Sequence, residues 1–126
     1  MKKQKDLDIS LKTHTAYIKI NRPPHNYFDS HLISQIANFL EEMDKNNNCR
    51  SIILCSEGKN FCAGANFYES TFSKGGNVYS NLYKQALRLF ETKKPIIAII
   101  QGAAIGGGLG LALAADFRIA CEESRF

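Results

Sequence analysis

Apolar and polar residues alternate at the start of the chain. Leu7, Ile9 and Leu11 interleave with Asp6, Asp8, Ser10 and Lys12, the two-residue period of a strand with one buried face. Ala16, Ile18 and Ile20 repeat the pattern after a turn at 12–14, which predicts an opening hairpin. Pro23 and Pro24 then remove two backbone donors and end the pairing. The period changes to helical at Leu32, Ile33, Ile36, Leu40 and Met43, with Glu41 and Glu42 on the wet side. Asp29 or Ser30 is placed to cap this helix, which is predicted to reach residue 44. The run 51–55 (Ser-Ile-Ile-Leu-Cys) is short and β-branched, and reads as a fully buried strand. After a polar, glycine-containing stretch at 70–77, residues 78–91 form an amphipathic pattern with Leu82, Ala86, Leu89 and Phe90 inward. A second buried strand is predicted at 96–100, a helix opening at Gly106, and a last strand at 117–120. Strands and helices in the order β-β-α-β-α-β-α-β predict an α/β layout, with a largely parallel sheet and no linker or repeat dividing it.

The span 95–115 carries no charge over 21 residues, long enough to cross a bilayer. It begins with Pro95, contains five glycines and changes midway from β-branched to alanine and leucine. Strand, turn and helix explain that change better than one continuous helix, and a membrane hairpin is the alternative. At 126 residues, 44% hydrophobic and 22% charged, the chain has the composition of one ordinary globular domain. The formal charge of +4 gathers partly at Lys2, Lys3 and Lys5, read as a frayed terminus. No basic stripe interleaved with aromatics points to nucleic acid. Cys49, Cys55, Cys62 and Cys121 form no C-x-x-C pair, and their spacing to His14, His25 and His31 suits no metal, so reduced thiols and no metal site are expected.

Candidate chemistry begins at Gly102-Ala103-Ala104-Ile105-Gly106-Gly107-Gly108-Leu109-Gly110, a glycine-rich turn from strand to helix. Unpaired N–H groups in a first helical turn favour negative charge, and glycines admit a ligand close to the backbone. The dinucleotide fingerprint fails because Leu111 stands where its last glycine belongs. Neither the phosphate loop ending in G-K-[ST] nor the G-x-S-x-G elbow is present. What remains is a carbonyl oxygen that gains charge during reaction, or tight packing with no ligand at all.

A second segment, Gly58-Lys59-Asn60-Phe61-Cys62-Ala63-Gly64-Ala65-Asn66-Phe67, resembles the F-[CS]-A-G-A-D-[LIF] loop of the enoyl-CoA hydratase/isomerase (crotonase) superfamily. Lys94-Pro95-Ile96-Ile97-Ala98-Ile99-Ile100-Gln101-Gly102 with Gly106-Gly107-Gly108 resembles that family's K-P-x-[IV]-A-x-[IV]-x-G…G-G-G signature. Asn21-Arg22-Pro23 with Asn26 and the stretch 109–120 are similar to its early turn and its later helix and strand. The resemblance implies a crotonase-like (ClpP/crotonase) ββα spiral, incomplete, with residues 1–126 as its amino-terminal half. It implies that the backbone N–H groups of Ala65 and Gly107 meet the thioester oxygen of an acyl-CoA. It further implies that Ala63 borders the adenine, and that Tyr27, Asn66, Phe67 and Gly106 line the pantetheine and acyl path. Arg22 and His25 are candidates for the CoA phosphates, with a surface role as the alternative for each.

Two departures stand out. Many hydratases of the family carry a glutamate two residues after the third glycine, and here that place is Gly110. A second glutamate normally follows in a Pro-Glu dipeptide, and the chain ends at Phe126 before it, with Glu122 and Glu123 too early to match. The activity implied is hydration or double-bond isomerisation of an enoyl-CoA. The alternative is an inactive fragment, or an acyl-CoA-binding subunit without its carboxylate. No cofactor is expected beyond the CoA of the substrate, and no membrane or nucleic-acid partner. The resemblance implies a trimer or hexamer for the full-length family, while reduced thiols and a charged, alternating start without a signal peptide point to a cytoplasmic setting. Strands 96–100 and 117–120 are expected to lack part of their cover and to leave apolar surface exposed.

Overall fold

The alternating segments pair as expected, and the sheet they build decides where loops can converge. In the computed structural model, which describes residues 2–66 and 77–126, β1 (Lys2–Gln4), β2 (Leu7–Lys12) and β3 (Thr15–Ile20) form an antiparallel meander. β4 (Ser51–Ser56), β5 (Ile96–Ile100) and β6 (Phe117–Ala120) continue from β3 in parallel, so the sheet runs in sequence order. The basic tip is not a frayed end: a two-residue turn folds it back so that Lys2 pairs with Ile9 and Gln4 with Leu7. The ladder bonds to the otherwise open edge of β2 hold it, a gain that charge and composition do not display.

α1 (Ser30–Lys45) links β3 to β4, α2 (Asn77–Leu89) leads into β5, and α3 (Gly107–Leu113) joins β5 to β6. Asp29 caps α1, its carboxylate accepting from the Leu32 N–H at 2.8 Å, an interaction worth about 1 kcal/mol. At the other end the Lys94 ammonium donates to the carbonyls of Met43 and Asn46, while the Asp44 carboxylate accepts from the N–H groups of Lys93 and Lys94. The Lys-Pro pair thus fastens the end of α1 to the start of β5. α2 stops at Leu89, and the Phe90 N–H turns back to the Leu87 carbonyl. Phe90 is therefore carried off the buried face and stands 61% exposed rather than inward.

Ile18, Ile52, Leu54, Ile96, Ala98 and Ile100 share one face of the sheet and one buried cluster with Leu32, Ile36 and Leu40 of α1. The strands expected to be buried on both faces are covered on this one alone. Tyr17, Ile53, Ile97 and Phe117 form a row across the opposite face, where Ile53 and Ile97 are half-buried and Ile99 is exposed. β6 is the edge strand on the parallel side, with Phe117 62% and Ile119 58% exposed. The uncharged span resolves into a strand, a turn and a seven-residue helix, and no described helix is long and apolar enough to cross a membrane. The loops 21–29, 57–66 and 101–106 all leave the carboxyl ends of parallel strands. That edge of an open α/β sheet is where ligands bind.

Candidate functional site

The loop 57–66 lies between the other two and is laced to both. Its Phe61 and Cys62 N–H groups donate to the carbonyls of Gln101 and Ala103, and the Ile105 N–H donates back to Cys62. On the other side the Phe28 N–H donates to Gly64, the Asn66 N–H to Phe28, and the Ala63 N–H to His25. This strand-like pairing of Phe28 with Ala65 uses the Gly64 carbonyl and the Asn66 N–H and leaves the Ala65 N–H out.

Among the described residues, neither the Ala65 nor the Gly107 N–H has a hydrogen-bond partner. Both residues line one cavity of about 400 Å³. An unpaired amide on an apolar wall is costly unless something accepts from it, so two in one cavity mark a place for an acceptor. Phe28 forms part of the same wall, with Leu82, Tyr83, Ala86 and Leu87 of α2 opposite and Gly110 and Leu111 of α3 alongside. Tyr83 is the one ionisable side chain among the described residues of this lining; there is no carboxylate or imidazole.

Two glycines owe their identity to close approach. A Cβ on Gly107 would fall 2.2 Å from the Phe28 ring, and one on Gly108 would fall 2.0 Å from the Cys62 carbonyl oxygen. Gly110 differs: a Cβ there meets nothing within 4 Å, and its missing side chain leaves open space in the cavity.

The other expected site residues are spread around this core. Tyr27 and Asn66 line a neighbouring polar cavity of about 350 Å³ together with Lys5, Asp6, Arg22 and Asp29. The Tyr27 ring stacks on His25 with centroids 5.0 Å apart. Ala63 contributes its N–H to the His25 carbonyl, and Gly106, at φ 57°, is the residue before α3. Phe67 lies outside the described residues, as do Tyr68 and Glu69.

Of the two phosphate candidates, Arg22 takes the structural role. Its guanidinium holds Asp29 at 2.8 Å and Asp6 at 3.0 Å, and also donates to the Tyr27 carbonyl. Burial works against its charge, and the two carboxylates outweigh that and raise its pKa. Burial likewise pushes the Cys62 thiol up and keeps it protonated, although the Gly64 and Phe28 backbone groups oppose the shift. Sequence reading placed Leu82 and Ala86 in a core and overlooked Phe28, Tyr83 and Leu87 as cavity wall. The amphipathic period carries the helix face but not what that face encloses.

The fold that carries this site matches solved structures of one family. The chain superimposes on an enoyl-CoA hydratase from Shewanella pealeana with a TM-score of 0.85 at 32% identity, covering 94% of this chain and 48% of that one. A family model described as Enoyl-CoA hydratase/isomerase matches residues 11–126. The chain therefore belongs to the enoyl-CoA hydratase/isomerase (crotonase) family. It is 37% identical over 123 residues to a Bacillus subtilis (strain 168) protein named "Probable enoyl-CoA hydratase", covering 94% of this chain and 48% of that protein. It is 32% identical over 145 residues to the peroxisomal Delta(3,5)-Delta(2,4)-dienoyl-CoA isomerase of Arabidopsis thaliana, covering 100% of this chain and 52% of that protein. The chain spans about half the length of the curated relatives it matches.

Proposed function

We propose that the chain binds an acyl-CoA thioester and polarises its carbonyl between the N–H groups of Ala65 and Gly107. The acyl group then lies along the apolar wall of Phe28, Leu82, Leu87 and Leu111. The observation that carries this reading is the pair of unpartnered amides, one in the loop 57–66 and one at the start of α3, on one largely apolar cavity. Hydration or double-bond migration builds negative charge on the thioester oxygen. A preorganised donor at that oxygen is worth about 3 kcal/mol in the transition state. The reaction served is hydration or isomerisation of an enoyl-CoA, with trimeric or hexameric assembly part of the same proposal.

A second reading, binding without turnover, draws on a separate observation. The described lining carries no carboxylate, and Gly110 has no side chain with which to move a proton. Incubating the chain with a short enoyl-CoA and following the thioester's ultraviolet band separates the two. Steady loss of the band supports the enzyme. A bound thioester with an unchanged band supports the binding protein. Failure to bind any acyl-CoA removes both.

A further inference from the structure

We propose that Asn26, with Asn60 and Gln101, positions the two amides by cross-linking the loop of Ala65 to the loop before Gly107 and to the loop 21–29. This rests on the reading of Ala65 and Gly107 as thioester-oxygen donors. Among the described residues Asn26 is the buried polar residue, 0% exposed, and both its side-chain N–H groups and its side-chain oxygen are hydrogen-bonded. Its carbonyl oxygen accepts from the Arg22 N–H at 2.8 Å, and its amide nitrogen donates to the carbonyls of Glu57 at 2.8 Å and Asn60 at 2.7 Å. Its φ of 52° lies in the left-handed region, which asparagine tolerates.

Asn60 continues the chain of links in both directions. Its side-chain nitrogen donates to the Pro24 carbonyl and its side-chain oxygen accepts from the Ala103 N–H at 3.0 Å. Gln101 closes the set, donating to the carbonyls of Ser56 and Gly58. Three primary amides thereby tie 21–29 to 57–66, and 57–66 to 101–106. The first tie orders the loop of Ala65, and the second orders the loop that delivers Gly107.

A primary amide suits this work because it presents a donor and an acceptor on one planar group. Aspartate at position 26 keeps the shape and the acceptor but turns a carboxylate oxygen toward two carbonyl oxygens. Phe28 transmits the result: it pairs with the loop of Ala65 through two backbone bonds, and its ring occupies the space beside Gly107. A shift of the 21–29 loop therefore changes the spacing between the two donors, although Asn26 touches neither.

The test uses the full chain and cinnamoyl-CoA, whose absorption moves to longer wavelength when its carbonyl oxygen is polarised. Wild type is expected to shift the bound probe. Asn26→Asp is expected to lose at least half of that shift and to bind about tenfold more weakly, and Asn60→Ala to lose a smaller part. Ile36→Val, a core truncation on α1, is the control for a general loss of stability and is expected to keep the full shift, with circular dichroism confirming fold at the assay temperature. Wild-type shifts in Asn26→Asp and Asn60→Ala, or an equal loss in Ile36→Val, overturn the positioning role alone. No shift in wild type removes the thioester reading and this proposal with it. If Asn26→Asp does not fold, Asn60→Ala carries the comparison.

Discussion

The carboxyl-end loops and the β6 edge lie at opposite extremes of how firmly this sheet is covered. At the loops, backbone pairing, three side-chain amides and the Arg22 ion pairs hold each segment from several directions. At β6, Phe117 and Ile119 stand open, joined by Leu113, 52% exposed, on the helix before it. The two proposed donors, Ala65 and Gly107, sit in the firmly held region, where a small displacement is resisted by many contacts. The open edge is paired to β5 on one side only, and its outward side chains carry apolar surface with no cover.

A large effect is expected where two loops meet most closely. Gly108→Ala drives a methyl into the Cys62 carbonyl, and overpacking of this kind costs about 3 kcal/mol. Urea denaturation should show a clear fall in midpoint, and a wild-type midpoint breaks the picture of a jammed junction. Arg22→Ala comes next, because it leaves Asp6 and Asp29 without their shared cation in a largely buried position. A loss of about 2 kcal/mol is expected, read in the same experiment.

Gly110→Ala sharpens the comparison in the opposite direction. The new methyl meets nothing, and replacing a helical glycine should add about 0.5–1 kcal/mol. A loss of stability there would mean that the cavity beside α3 is smaller than it looks. The smallest effect belongs to the open edge, where Phe117→Lys should change stability by less than about 0.5 kcal/mol. Its solubility, measured by light scattering against concentration, should rise because the exposed apolar surface shrinks.

Much of the sheet was legible in the chain. Two-residue alternation located β2 and β3, and the hydrophobic stripe with Asp29 located α1, because those signals are local and each element supplies its own. β1 was not legible, since its stability comes from ladder bonds to β2 and not from its own side chains. The one-sided burial of β4 and β5 was hidden for a related reason: an isoleucine run looks alike whether helices cover one face or two. At the site, the glycine cluster pointed to close approach and left tight packing as an equal alternative. The structure gives Gly107 and Gly108 tight contacts in addition to the unpaired Gly107 amide. The hydrogen bonding of Asn26 was out of reach, because its partners Glu57 and Asn60 lie 31 and 34 residues away.

The most direct measurement is a crystal structure of the chain with a bound acyl-CoA thioester. The account predicts one carbonyl oxygen within about 2.7–3.1 Å of both the Ala65 and the Gly107 nitrogens, with the acyl group against Phe28 and Leu111. A thioester oxygen that meets only one of these amides, or that lies in the polar cavity beside Tyr27, would contradict it.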